Sequence, residues 1–347
     1  MYSAIRRCRS WIFVFLSIVI AAAVFCAPHG TNNKTDSAAA AFASNSGGSA
    51  YIAAELTTET VLKEHNTDAR LPMASTTKVM TALLICEDCN LDRVVTVPDG
   101  AVGVEGSSIY LKRGEEIDVR DLLYGLMLRS GNDASVALAI IHSGSVSDFV
   151  ARMNERAREL GAENTNFTNP NGLPDENHYT TARDLCKISC AAMRNDIFRK
   201  VVGTRNWNGR YRSYSNKNKM LARYSGATGI KTGYTVKAGR CLVSSALRGG
   251  MEVVCVALNV YDMYERSSRI LDECFGTYEL VHMTKNARFI CGNDICRAEE
   301  ANFVIKKGLP LTYKTEKNTA DGSSSYGNLK IYQENNLIFS AKLYSIV

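Results

Sequence analysis

Ser75 and Lys78 stand three residues apart where an apolar segment begins, in Pro72-Met73-Ala74-Ser75-Thr76-Thr77-Lys78. If that segment is a helix, both side chains fall on one face of its first turn. A serine hydroxyl is a weak nucleophile until a base takes its proton, and a lysine amine can be that base when burial and a second cation lower its pKa. Amides at a helix N-terminus point outward and can hold an oxyanion. Taken alone, the pattern reads more simply as a helix cap followed by a solvated lysine. It does not stand alone: Ser130-Gly131-Asn132 lies between two helical segments, and Lys231-Thr232-Gly233 follows Gly226 to Ile230 and leads into strand-like sequence. S-x-x-K, S-x-N and K-T-G each occur once, in that order.

Competing chemistries have less support. The five histidines (His29, His65, His142, His178 and His282) are scattered, and none has a context that marks it as the base of a Ser-His-Asp enzyme; His178 reads as a polar loop residue. There is no zincin pattern and no nucleotide-binding glycine loop. Of eleven cysteines, nine follow Cys26, an odd number that cannot all pair within one molecule. Cys86-x-x-Cys89, Cys291-x4-Cys296 and the helical pair Cys186 and Cys190 lie in unrelated contexts, so buried or loosely paired thiols are expected rather than a zinc site. No metal and no cofactor are called for.

The elements that must position these residues follow from apolar spacing. Tyr51 to Leu56 and Val61 to Glu64 flank a polar turn as a hairpin. Val79 to Cys86 predicts a helix buried nearly all round, with Ser75, Thr76 and Thr77 capping its start. Leu122 to Ile141 is helical apart from the loop-like Arg129-Ser130-Gly131-Asn132-Asp133. Val150 to Leu160 is amphipathic. Asn169-Pro170-Asn171-Gly172-Leu173-Pro174 is a turn cluster, and Thr181 to Met193 a helix capped by Thr180 or Thr181. Cys241 to Leu247 and Val253 to Val260 form a hairpin around Arg248-Gly249-Gly250, and Tyr264 to Val281 a closing helix. Beyond it, Phe303 to Ile305, Leu311 to Tyr313, Leu329 to Tyr332 and Ile338 to Leu343 are strand-like, which predicts a small all-β domain.

A chain of 347 residues is long enough for two domains. Its formal charge is +6, and Arg6, Arg7 and Arg9 supply three of those positives, so the remainder is too mildly basic to argue for nucleic acid. Those arginines precede Trp11 to Ala27, an uncharged apolar stretch ending among small residues, which is the pattern of a secretory signal. Cleavage sites are offered by Val24-Phe25-Cys26 and by Ala41-Phe42-Ala43; left uncleaved, the segment would be a membrane anchor. The expected layout is 1–27 signal peptide or N-terminal anchor, 28–48 flexible spacer, 49–284 peptidase domain and 285–347 small β-domain.

The three motifs resemble those of penicillin-binding proteins and β-lactamases. With Asn169-Pro170-Asn171-Gly172-Leu173, Tyr179-Thr180-Thr181-Ala182 and Gly229-Ile230-Lys231-Thr232-Gly233-Tyr234-Thr235, followed by Ala238-Gly239, the chain is similar to the D-alanyl-D-alanine carboxypeptidases of low molecular mass, over about Ala50 to Val281. That resemblance implies an α+β fold, an antiparallel sheet covered by helices as in β-lactamases and transpeptidases, with a small C-terminal all-β domain. It implies that Ser75 attacks the carbonyl between two terminal D-alanines of a peptidoglycan stem peptide, with Lys78 as general base and Ser130 relaying a proton to the leaving amine. Asn132 would hold the substrate amide, Lys231, Thr232 and Gly233 would line the carboxylate site, and the N–H groups of Ser75 and Tyr234 would form the oxyanion hole. β-Lactams would act as covalent inhibitors.

The family often has His where Tyr234 stands; the expected role is that of the backbone amide. For a further carboxylate-binding arginine the nearest candidate is Arg266, with Met263 at the aligned position. Relatives often end in a membrane-lying amphipathic helix, whereas here Val347 follows the last strand, which leaves attachment to the N-terminal segment. A class A β-lactamase would need a water-activating glutamate, for which Glu163 is the only nearby acid. A catalytically idle wall sensor that keeps the pocket is the other alternative.

Overall fold

The computed structural model describes residues 48–318 and 325–346. The expected export segment and the spacer, apart from Gly48, lie outside the described residues.

Ala50–Glu55 (β1) and Val61–His65 (β2) form the first hairpin. Ala74–Thr77 is a single 3-10 turn leading into helix α1, Lys78–Asp88, in which Lys78 through Cys86 are all buried. Val94–Thr96 (β3) and Glu116–Asp118 (β4) pair as a small ribbon. Then come Val119–Tyr124 (α2), a wide π turn at Gly125–Arg129, Asn132–Ser143 (α3) and Val146–Glu159 (α4). The break expected at Arg129 to Asp133 is narrower than the sequence suggests. Ser130 takes a left-handed conformation, φ 64°, and Asn132 already opens the next helix, with Asp133 in its first turn where a carboxylate favours the helix dipole. The amphipathic helix also starts earlier than Val150, because Ser145 accepts the Asp148 amide as its cap.

Ala182–Arg194 (α5) is capped by the Thr181 hydroxyl, and Asp196–Gly203 (α6) by Asn195. A two-stranded ribbon, Asn206–Asn208 (β5) with Ser213–Ser215 (β6), and a short helix at Met220–Arg223 (α7) lead to Ala227–Thr235 (β7), Gly239–Arg248 (β8) and Met251–Leu258 (β9). The main sheet is antiparallel with strand order β2-β1-β9-β8-β7, so β7 is an edge strand. Every residue of β9 is buried: Val254, Val256 and Leu258 face the large core under α1 and its neighbours, while Val253 and Cys255 face the core under Met263–Thr277 (α8). A strand covered on both faces reads as a continuous apolar run, which is why its period is invisible in the sequence.

The closing helix ends at Thr277, four residues before the expected Val281. Tyr278–Met283 (β10) instead pairs with Ala301–Lys306 (β13), which puts Val281 and Met283 in a third core with Phe289, Phe303, Leu329 and Leu343. Around that core Arg288–Cys291 (β11), Asp294–Ala298 (β12), Leu311–Lys317 (β14), Gly327–Gln333 (β15) and Asn336–Ser345 (β16) form an antiparallel sheet of order β11-β12-β16-β15-β14. The nine cysteines among the described residues are free thiols, and all but Cys89 are buried. No single helix among the described residues is long and apolar enough to cross a membrane.

Candidate active site

Ser75 sits on the 3-10 turn that opens the buried helix α1, at the edge of the main sheet. The hydroxyls expected to cap this helix do something else. Thr76 Oγ1 donates to the Met73 carbonyl at 2.5 Å and Thr77 Oγ1 to the Ala74 carbonyl at 2.8 Å, and no side chain accepts from the helix amides. These backward bonds tighten the turn and leave the Ser75 hydroxyl to Lys78. Ala74 pays with a left-handed backbone, φ 48°, a conformation that costs an alanine energy and marks a held elbow. Strand β7 closes on it from one side: a Cβ at Gly233 would lie 3.0 Å from the Ser75 nitrogen and 3.1 Å from that of Thr76. Glycine is therefore what lets the edge strand approach the nucleophile's amide.

Lys78 is fully buried, and its Nζ lies 3.0 Å from Ser75 Oγ, 2.7 Å from Asn132 Oδ1 and 2.5 Å from the Asn171 carbonyl. Burial holds its amine well below the usual lysine range; Lys231 and Lys217 push the same way and Asp133 opposes them. A neutral amine has two N–H bonds and one lone pair. Asn132 and Asn171 take the two N–H bonds, which leaves the lone pair to accept the Ser75 proton.

Ser130 is buried two residues before Asn132, and the left-handed backbone at that residue turns the chain from the π turn into α3. Lys231 is also fully buried on β7, and its Nζ donates to the Thr232 carbonyl at 3.0 Å. Burial, with Lys217 nearby, pulls it down to about 7. Thr232 is half-buried beside it, and the Tyr234 side chain is exposed to solvent. Arg266 lies on α8 with its Nε 4.0 Å from Asp262 Oδ2. Glu163 is exposed on the loop after α4, where nothing connects it to Ser75.

Comparison with known proteins agrees with the geometry. The family model described as D-alanyl-D-alanine carboxypeptidase matches residues 33–262. The chain belongs to this family. It is 34% identical over 282 residues to D-alanyl-D-alanine carboxypeptidase DacF of Bacillus subtilis, covering 76% of this chain and 71% of that protein. It is 34% identical over 283 residues to DacA of Escherichia coli, covering 76% and 70%. Its fold matches the crystal structure of penicillin binding protein 5 from Haemophilus influenzae with a TM-score of 0.74 at 27% identity, over 86% of this chain and 96% of that one. The α+β architecture with a C-terminal all-β unit is that of the family, and the chain is a serine-type D-Ala-D-Ala carboxypeptidase. Neither the β-lactamase nor the idle-sensor alternative is better supported by these likenesses.

Two groups of the carboxypeptidase site escaped sequence reasoning. Asn171 contributes only its carbonyl, which no side-chain pattern can reveal. His178, read as a polar loop residue, is buried: its Nδ1 accepts from the Thr168 amide at 3.0 Å, so its Nε2 carries the hydrogen and donates to Thr77 Oγ1 at 2.7 Å. Burial pushes it down to about 4, so it is neutral at ordinary pH. It ties the turn cluster to the residue before Lys78. The signal was its place directly before Tyr179-Thr180-Thr181-Ala182, a stretch singled out for other reasons.

Proposed function

We propose that Ser75 is the nucleophile that removes the terminal D-alanine from peptidoglycan stem peptides, with Lys78 as its base. The observation that carries this reading is the buried amine of Lys78, held well below the usual lysine range by burial, with its Nζ 3.0 Å from Ser75 Oγ and bonded to Asn132 Oδ1 and the Asn171 carbonyl. Ser75 Oγ bonds to the penultimate D-alanine carbonyl carbon as its proton passes to Lys78. The oxyanion is held by the amides of Ser75 and Tyr234, a reading supported by the close approach of Gly233 to the Ser75 nitrogen. Collapse of the adduct breaks the C–N bond; Ser130 passes its proton to the departing D-alanine amine and recovers one from Lys78, which is thereby restored as a base. Water then adds to the ester, with Lys78 taking a proton from it and returning that proton to Ser75 Oγ as the C–O bond breaks and the shortened peptide leaves.

Asn132 would hold the substrate amide, and Lys231 with Thr232 the terminal carboxylate, next to Gly233. Arg266, on α8 with its Nε 4.0 Å from Asp262, would be a further candidate for that carboxylate. β-Lactams would acylate Ser75 by the same route. Residues 49–284 would form the peptidase unit and 285–347 the β-unit, a division supported by their separate cores and bridged by β10. The basic and apolar start at 1–27 supports action outside the cytoplasm, in the wall space or at the membrane face. Mass spectrometry of the penicillin adduct tests the assignment: label on Ser75 supports it, and label on any other residue removes it.

A further inference from the structure

Asp133 follows the S-x-N motif directly, is 1% exposed, and touches neither Ser75 nor Lys78. Its carboxylate nevertheless organises the wall of the site. Ser108 Oγ donates to Oδ2 at 2.6 Å, the Leu111 amide to Oδ2 at 3.1 Å, the Ile109 amide to Oδ1 at 3.0 Å and Oδ2 at 3.1 Å, and the Ala134 amide to Oδ1 at 2.9 Å. All of these donors but Ala134, which is in α3, belong to the loop that begins at Glu105. The same loop fixes Asn132: its amide N–H donates to the Ser107 carbonyl and its Nδ2 to the Glu105 carbonyl, both at 2.6 Å. With Nδ2 committed outward, Oδ1 must face Lys78 Nζ.

We propose that Asp133 is a positioning residue for acylation, which folds the Glu105 to Leu111 loop around its carboxylate and thereby sets the Asn132 amide that orients the Lys78 amine. The inference rests on the assignment of Ser75 and Lys78. A second consequence comes from charge. The ionisable groups acting on Lys78 are Lys231 on β7, Lys217 on the segment after β6, His178 from the segment after the turn cluster and Asp133 on α3, and of these Asp133 alone favours the protonated amine. Removing its charge eases deprotonation of Lys78 even while the loop is loosened.

The test is the rate constant of acylation by labelled penicillin, measured per titrated active site across pH. Asp133→Asn turns an NH₂ group toward loop donors, so the plateau rate should fall roughly tenfold to a hundredfold. The acid limb should move to lower pH. Ser108→Ala removes one donor and keeps the charge, so a smaller loss with an unmoved limb is expected. In an Asn132→Ala background the rate losses should largely vanish, because the path runs through Asn132. A merely structural role would lower the melting temperature or the count of active sites and leave rate and limb per site at wild-type values, which would overturn the proposal. If Asp133→Asn does not fold, the Ser108→Ala arms decide: no rate loss, or a loss undiminished in the Asn132→Ala background, also overturns it. Absence of label on wild-type Ser75 is a separate result that removes the underlying assignment.

Discussion

Gly172 lies against Ala74 so closely that a Cβ at Gly172 would sit 2.0 Å from the Ala74 carbonyl oxygen and 2.9 Å from the Ser75 nitrogen. Its φ of 87° also belongs to the left-handed region. The turn cluster thus braces the nucleophile elbow as β7 does at Gly233, and Asn171, next to Gly172, bonds Lys78 through its carbonyl.

Gly172→Ala should therefore abolish penicillin labelling of Ser75, because backbone must shift at both the elbow and the Asn171 carbonyl. Gly276→Ala is the control, since a Cβ there meets nothing within 4 Å. On helix propensity it should leave labelling intact and raise stability by up to about 1 kcal/mol. Gel fluorography and thermal unfolding of both variants check the pair.

His178→Ala should destabilise by about 1–3 kcal/mol, because the Thr168 amide and Thr77 hydroxyl lose a buried partner. The pH dependence has a definite sign. His178 has a folded pKa of about 4, below its ordinary value, so its contribution is complete above about 6.5 and is lost as pH falls toward 4. Unfolding midpoints in denaturant, compared at several pH values in that window, should converge between wild type and variant as the pH drops.

Lys231 should give acylation its alkaline limb. It loses its charge as pH rises through about 7, so affinity for a substrate carboxylate should weaken above that point. In kinetics on a peptide with a free terminal carboxylate, KM should rise with pH. The corresponding ester should show no such rise.

Lys78→Ala should slow acylation by roughly 10²–10⁴-fold, the range for loss of a positioned general base. Stopped-flow labelling at fixed pH measures it, and a normal rate would exclude Lys78 from that role.

Much of this site is written in local sequence. Ser75 to Lys78 needs only one helical turn to bring its two groups together, and Lys231-Thr232-Gly233 stands directly before two short apolar runs that read as a hairpin. What the sequence hides is long-range. The bond from Asn171 to Lys78 spans ninety-three positions and uses backbone; that from Asn132 spans fifty-four. The hydroxyls of Thr76 and Thr77 look like caps by type, but the strained Ala74 turns the chain so that they bond backward to carbonyls. The closing helix overran by four residues because Tyr278 to Val281 suits a helix face as well as a strand, and only pairing with β13 decides between them.

The most direct measurement is release of D-alanine from a diacetyl-Lys-D-Ala-D-Ala peptide by the wild-type chain beside its Ser75→Ala variant. Release by the wild type that disappears in a folded Ser75→Ala variant is the expected result. Release that persists in the variant would contradict Ser75 as the nucleophile.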